Sequence, residues 1–286
     1  MKNDSKIKNI KKYLDVLKPF VYFIAIHFLV AVIWTIVISK YVSTKSMFFD
    51  NYSYDFDKIL DKSDYFLFTV HCVGMFFYYK WYKKLMEKPY ISHKKFSFND
   101  KINITLCAIG KILINYGILY LIVRLVIKYF PILIEKYNKT NQVNSDTLII
   151  YVICLVITAP LVEELLFRGV ILSKAKKIMP FYLANIFQSF LFALFHMELM
   201  KFIHIFLAGL LYGYITRMYG TIKPVIYMHA LNNAVSFIVP NIFNKSHVSF
   251  VNITIAFWSL IIVVGICFVF IFVYNTRGKN KGSNEL

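Results

Sequence analysis

Charge is scarce in this sequence, and with it most of what marks a soluble surface. Only 17% of the 286 residues are charged, 58% are hydrophobic, and the mean hydropathy is +0.58. Soluble domains carry about 25% charged residues, so the composition excludes an ordinary aqueous globule and fits a bilayer as solvent. Acidic residues are scarcer still: 15 Asp and Glu face 33 Lys and Arg, a net charge of +18. That excess does not point to nucleic acid, because the basic residues come in bursts between long apolar runs rather than along an aromatic-interleaved stripe. The four cysteines, Cys72, Cys107, Cys154 and Cys267, all lie in apolar runs. They read as small buried hydrophobes and not as an extracytoplasmic disulfide framework. His-Glu-x-x-His and Gly-x-Ser-x-Gly are absent, which removes the zincin and serine-hydrolase readings. Ser173 to Lys176 fits Ser-x-x-Lys only nominally, at a basic helix end, and His71-Cys72 sits in plain helix core. No internal repeat or separate soluble domain is apparent.

What is present is a series of apolar runs near the roughly 20 residues a spanning helix needs. Eight can be placed: Phe20 to Ser39, Tyr65 to Tyr82, Ile112 to Ile127, Leu148 to about Ser173, Phe181 to about His196, Phe202 to Tyr219, Ile222 to Phe243 and Phe250 to Tyr274. The expected fold class is therefore all-α, a polytopic transmembrane helix bundle of about eight spans. Cytoplasmic segments carry the excess of Lys and Arg. With the N-terminus inside, the inner segments hold 22 basic residues and the outer ones 9, while Lys111 and Arg124 fall within the third span. The bundle reads as N-in and C-in. The first run is too long for a signal peptide and has no cleavage site, so it reads as an anchor. The chain reads as one membrane-embedded domain, residues 1–286. Spans one to three occupy 1–140, a catalytic core of spans four to seven occupies 145–245, and the last span with a basic cytoplasmic tail occupies 250–286. The acidic, tyrosine-rich stretch Asp50 to Asp64 reads as a solvated outer loop.

An ionised side chain in mid-span costs on the order of 2.5–3.5 kcal/mol on insertion scales, so it needs a reason. Three polar clusters interrupt the apolar runs. Glu163-Glu164-Leu165-Leu166-Phe167-Arg168 follows Pro160. On a helix Glu164 and Arg168 share a face, whereas Glu163 is turned about 100° from Glu164. An alternative keeps both glutamates at the membrane interface, held by Arg168 and the following lysines. Phe192 to His196 puts a histidine four residues after a phenylalanine, which by itself is as much a hydrogen-bonded core residue as a catalyst. His229-Ala230-Leu231-Asn232-Asn233 places His229 and Asn233 on one stripe, where they could equally be glue between helices. Together the clusters supply the parts of peptide hydrolysis. A carboxylate and a histidine can hold and deprotonate water, and a second histidine and an amide can donate to an oxyanion.

At these residues the chain resembles the CAAX-protease and bacteriocin-processing family, also called CPBP or Abi, which includes the eukaryotic CAAX prenyl endopeptidase. The family pattern Glu-Glu-x-x-x-Arg, Phe-x-x-x-His and His-x-x-x-Asn is met in order by Glu163, Glu164 and Arg168, by Phe192 and His196, and by His229 and Asn233. The resemblance implies that Glu163 and His196 activate water, that His229 and Asn233 form the oxyanion site, and that Glu164 with Arg168 braces the first helix. It leaves a metal-independent glutamate mechanism and a metal mechanism both open. If a metal such as zinc is present, Glu163, Glu164, His196 and His229 are the donor set.

The function this implies is an intramembrane endopeptidase acting on a membrane-associated peptide or protein, prenylated or not, with the lipid bilayer as its other partner and no nucleic acid. The competing reading is a non-proteolytic bacteriocin-immunity or regulatory membrane protein that uses the polar cluster only to hold its bundle. A small-solute transporter is disfavoured by the lack of an inverted repeat or paired broken helices. Richness in Lys, Ile, Asn and Phe suggests an AT-rich bacterial genome, hence a bacterial plasma membrane and peptide maturation or self-immunity.

Overall fold

The computed structural model of the chain describes residues 2–46, 63–86, 97–129, 147–245 and 254–276, and every regular element among them is helical. Eight helices follow in order: α1 (Lys2–Ser46), α2 (Ser63–Met86), α3 (Phe98–Tyr129), α4 (Leu148–Ala175), α5 (Phe181–Phe195), α6 (Phe202–Tyr219), α7 (Lys223–Lys245) and α8 (Ile255–Thr276). Each covers one of the eight apolar runs. Four are long and apolar enough to cross a membrane: Lys11–Lys40 within α1, Phe98–Leu125 within α3, α4 and α8. Helix α5 is apolar but has only 15 residues, and in α2, α6 and α7 tyrosine, histidine and asparagine lower the hydropathy. Most of the acidic outer stretch (50–62) and the basic tail (277–286) lie outside the described residues.

Local chemistry sets several helix ends. Ser97 and Asp100 form a reciprocal capping box at the start of α3, with Ser97 N–H donating to Asp100 Oδ2 (3.0 Å) and Asp100 N–H to Ser97 Oγ (3.1 Å). Helix α6 stops at Gly220, whose left-handed φ of 66° closes the last turn through its N–H to Thr216 O. Pro224 stands in the first turn of α7, where its missing N–H costs nothing.

The chain divides into two compact units, Met1–Lys88 with Val143–Pro180, and Pro89–Gln142 with Phe181–Leu286. In the first, α1, α2 and α4 pack together. Pro19 inside α1 can offer no N–H to the carbonyl four residues earlier, that of Asp15. Lys174 of α4 fills the gap, donating to Asp15 O (3.1 Å) and Oδ2 (2.6 Å), with its ammonium 4.7 Å from the centre of the Trp81 ring. Tyr78 of α2 is fully buried and donates to the carbonyl of Pro19. In the second unit, α3 packs on α8 through stacked Tyr120 and Trp258 rings, 4.8 Å apart.

Helices α5 and α6 are joined by a polar ladder in an otherwise apolar seam. Asn185 donates to Leu210 O (2.9 Å), and Gln188 Nε2 lies within hydrogen-bonding reach of Asn185 Oδ1 (2.8 Å), Ser189 Oγ (2.7 Å) and Gly209 O (3.1 Å). Gly209 and Gly213 make the approach possible, since a Cβ on Gly213 would overlap Asn185 Oδ1 and one on Gly209 would stand 2.8 Å from Ser189 Cβ. Small residues four apart that admit a facing helix are a standard solution where lipid gives no hydrophobic drive to association. Gly213→Val should therefore separate α5 from α6 and cost at least about 1–3 kcal/mol, read as a lower melting temperature of the purified protein in detergent; an unchanged melt would mean that the seam is not needed.

Candidate active site

The three polar clusters fall in both units. Glu163, Glu164 and Arg168 belong to the first, and Phe192, His196, His229 and Asn233 to the second.

The glutamates ride on a helix that is not uniformly α. Within α4, Cys154–Thr158 and Leu165–Leu172 are π-helical, and the α-helical turn Ala159–Glu164 lies between them. Pro160 accounts for the first irregularity, because it supplies no N–H to the preceding turn, and the ladder shifts so that Ala159 N–H reaches Cys154 O. The shifted turn is held from outside: Thr158 Oγ1 is 2.8 Å from Nδ1 of His71, and both residues are buried. Such π turns recur at functional sites. Glu163 and Glu164 are 8% and 0% exposed.

Arg168 donates to Glu164 Oε1 at 3.0 Å, and neither side chain exposes any surface. The (i, i+4) pairing expected from the sequence is present. Lys174, also buried, pairs with half-exposed Asp15. Gly169 lets α2 come close, since a Cβ there would stand 2.9 Å from the Tyr82 ring.

In the second unit Phe192 lies between two histidines. Its ring centroid is 4.8 Å from that of His196 and 6.0 Å from that of His229, nearly perpendicular to both. His196 Nδ1 is 2.8 Å from Phe192 O. A carbonyl only accepts, so Nδ1 carries the proton, and in the neutral ring Nε2 is the hydrogen-bond acceptor. Tyr212, 1% exposed, lies against His229 with ring centroids 5.8 Å apart. Asn233 Oδ1 accepts from Asn232 Nδ2 at 3.2 Å. Directly after His196 the backbone turns at Met197, whose φ of 51° is left-handed and whose side chain is 91% exposed.

Within neither unit do the described residues gather three His, Cys, Asp or Glu side chains into a group able to hold a metal ion. The zinc donor set named from the sequence is divided between the units, Glu163 and Glu164 in the first and His196 and His229 in the second.

Residues 145–235, about a third of the chain, match the family model described as type II CAAX prenyl endopeptidase Rce1-like. Over this segment the chain is similar to that family. The Rce1-like segment contains all three clusters, from Glu163 to Asn233. No curated protein and no solved structure matches the chain. With its four helices long and apolar enough to cross a bilayer, the match makes the chain an integral membrane protein.

Sequence reasoning gave no role to Lys111, Asn115, Tyr212 or His204, all of which lie on helices of the second unit. The signal was there for Lys111 and His204, ionisable groups inside apolar runs, but the partner of Lys111, Asn232, lies 121 positions away. The geometry generates two expectations. Arg168→Met, which leaves buried Glu164 without its cation, should cost about 3–5 kcal/mol, and pairing it with Glu164→Leu should restore much of the loss; thermal unfolding of the three variants checks this. Met197→Gly should raise stability by about 1 kcal/mol, because glycine adopts the left-handed region without the penalty a Cβ brings, and the same melts would reveal it.

Proposed function

We propose that this chain is an intramembrane endopeptidase that hydrolyses a peptide bond of a membrane-associated peptide or protein. The observation that carries the reading is the Rce1-like match over the stretch that also bears the three polar clusters of Glu163 to Arg168, Phe192 to His196 and His229 to Asn233. In this reading Glu163 and His196 hold the attacking water and take its proton. A half-buried His196 whose Nδ1 donates to Phe192 O is the tautomer a base requires, because Nε2 is then the acceptor for the water. His229 and Asn233 donate to the oxyanion of the tetrahedral intermediate, and the proton then passes to the leaving amine. Glu164, Arg168 and Phe192 do no chemistry. The ion pair fixes the turn that carries Glu163, and the Phe192 ring spaces His196 from His229.

The same reading takes the eight helices as eight spans with both termini inside, forming one membrane-embedded domain in a bacterial plasma membrane. The substrate is a peptide segment at the bilayer, of the prenylated class for which the matched family is named or an unprenylated leader or bacteriocin-like peptide. The reading is compatible with a metal-independent glutamate mechanism and with a metal mechanism, and the response to chelator separates them.

The test is cleavage of a panel of fluorogenic membrane peptides by purified protein in detergent. Glu163→Gln should lose at least about 10²-fold in kcat, the usual weight of a positioned general base, with its melting temperature close to wild type. A wild-type rate that a strong chelator leaves unchanged would assign the glutamate mechanism; a rate that falls with chelator and returns with zinc would assign a metal instead. Full activity in Glu163→Gln would end the peptidase reading of this site and favour the immunity-type binding protein.

A further inference from the structure

Within the second unit, a lysine buried in an apolar helix is tied to the amide that the proposed mechanism needs. Lys111 of α3 is 6% exposed, and its Nζ lies 2.6 Å from the side-chain oxygen of Asn232 on α7. Asn115, one turn further along α3, donates to that oxygen at 3.1 Å. Asn232 Nδ2 then donates to Asn233 Oδ1 at 3.2 Å. The lysine also lies over the Tyr212 ring, 5.5 Å from its centroid, and Tyr212 lies against His229.

The order of these atoms has a direction. A side-chain amide can turn end for end, exchanging its donor and acceptor at little cost unless a neighbour forbids it. An ammonium forbids it because it only donates, so the Asn232 atom facing Lys111 must be oxygen. Asn232 therefore turns its NH2 toward Asn233, and Asn233 must answer with its oxygen. What Asn233 offers to any third group is then N–H, the form an oxyanion donor requires. Asn115 cannot set this sense alone, since its own amide turns as readily.

We propose that Lys111, acting through Asn232, is a positioning residue that holds the Asn233 amide with its N–H bonds directed to the reacting carbonyl oxygen. This rests on the peptidase reading above and deepens it. Lys111 touches neither water nor substrate. It fixes which end of an amide two residues away meets the developing charge, and its own positive charge favours that charge across a medium of low dielectric.

The experiment uses the full chain in detergent as wild type, Lys111→Met, Lys111→Arg, Asn233→Ala and the Lys111→Met/Asn233→Ala double variant, with kcat and KM measured on the fluorogenic membrane-peptide panel. Lys111→Met should lower kcat roughly ten- to a hundredfold at unchanged KM, somewhat less than the loss of an oxyanion donor outright. Lys111→Arg, which also only donates, should recover most of that rate. In the Asn233→Ala background the lysine substitution should change kcat by less than about twofold, because coupled groups do not add. Equal losses in both backgrounds, or a change in KM alone, would overturn the proposal. Melting temperatures test the relay apart from catalysis. Lys111→Met and Asn232→Leu should together lower the melt by less than the sum of their separate effects, and additive shifts would overturn the relay. Coupled melts with no wild-type cleavage anywhere in the panel would instead count against the peptidase reading and remove the catalytic role of the lysine, leaving only the hydrogen-bonded chain.

Discussion

A helix surrounded by hydrocarbon has no water with which to satisfy its polar groups, so each of them must find a partner inside the chain. In the first unit this requirement joins three helices at points where an ordinary ladder fails. The carbonyl released by Pro19 is met by Lys174, the shifted turn before Pro160 is met by His71 at Thr158, and Glu164 is met by Arg168. In the second unit the same requirement produces the ladder between α5 and α6 and the chain from Lys111 to Asn233. Polar residues in such a protein do the joining that apolar packing does in water, because lipid tails are no worse a neighbour for leucine than another leucine is.

The ion pair illustrates how expensive groups can be retained. A fully buried Arg–carboxylate pair gains little stability over apolar residues of the same size. Its presence at zero exposure, next to the carboxylate to which the proposed mechanism assigns the water, fits a pair that supplies orientation and not stability. Glu164 and Arg168 lock the turn from which Glu163 projects, and the π-helical stretch that begins at Leu165 starts where that lock is set. A positioned group held by a rigid neighbour contributes to catalysis through geometry, and this is the use that repays a desolvated charge.

Much of this was legible in the sequence. Eight apolar runs gave the eight helices, because hydropathy over about 20 residues is a strong signal and its boundaries need not be sharp. The Glu164–Arg168 pair and the Phe192–His196 contact could be read because both partners lie on one helix, four residues apart. What escaped was everything whose partner lies on another helix. Lys111 and Asn232 are 121 positions apart, and no local spacing announces their meeting. Gln188 and Ser189 meet α6 only because Gly209 and Gly213, at least 20 positions away, leave room for them. The π turns of α4 were hidden too, although Pro160 marked where the first would fall. For Lys174, composition reports the charge and not that it is bonded to Asp15 on another helix.

The π-helical stretch Leu165–Leu172 has a consequence for how this part of the molecule can vary. A stretch bonded from each residue to the fifth one on holds more chain per turn than the α-helix around it. Removing one residue there and letting the ladder fall back to α would take up the cut within the stretch, because the tighter α turn restores about the 100° that the lost residue carried. Lys174 would keep its approach to Asp15, and the closure onto α1 would survive. The same deletion in the α-helical turn Ala159–Glu164 has no wide turn to absorb it and would rotate everything beyond it by about 100°. Within one helix, therefore, the π stretch is where a change of length should be tolerated, and the turn that carries Glu163 is where it should not.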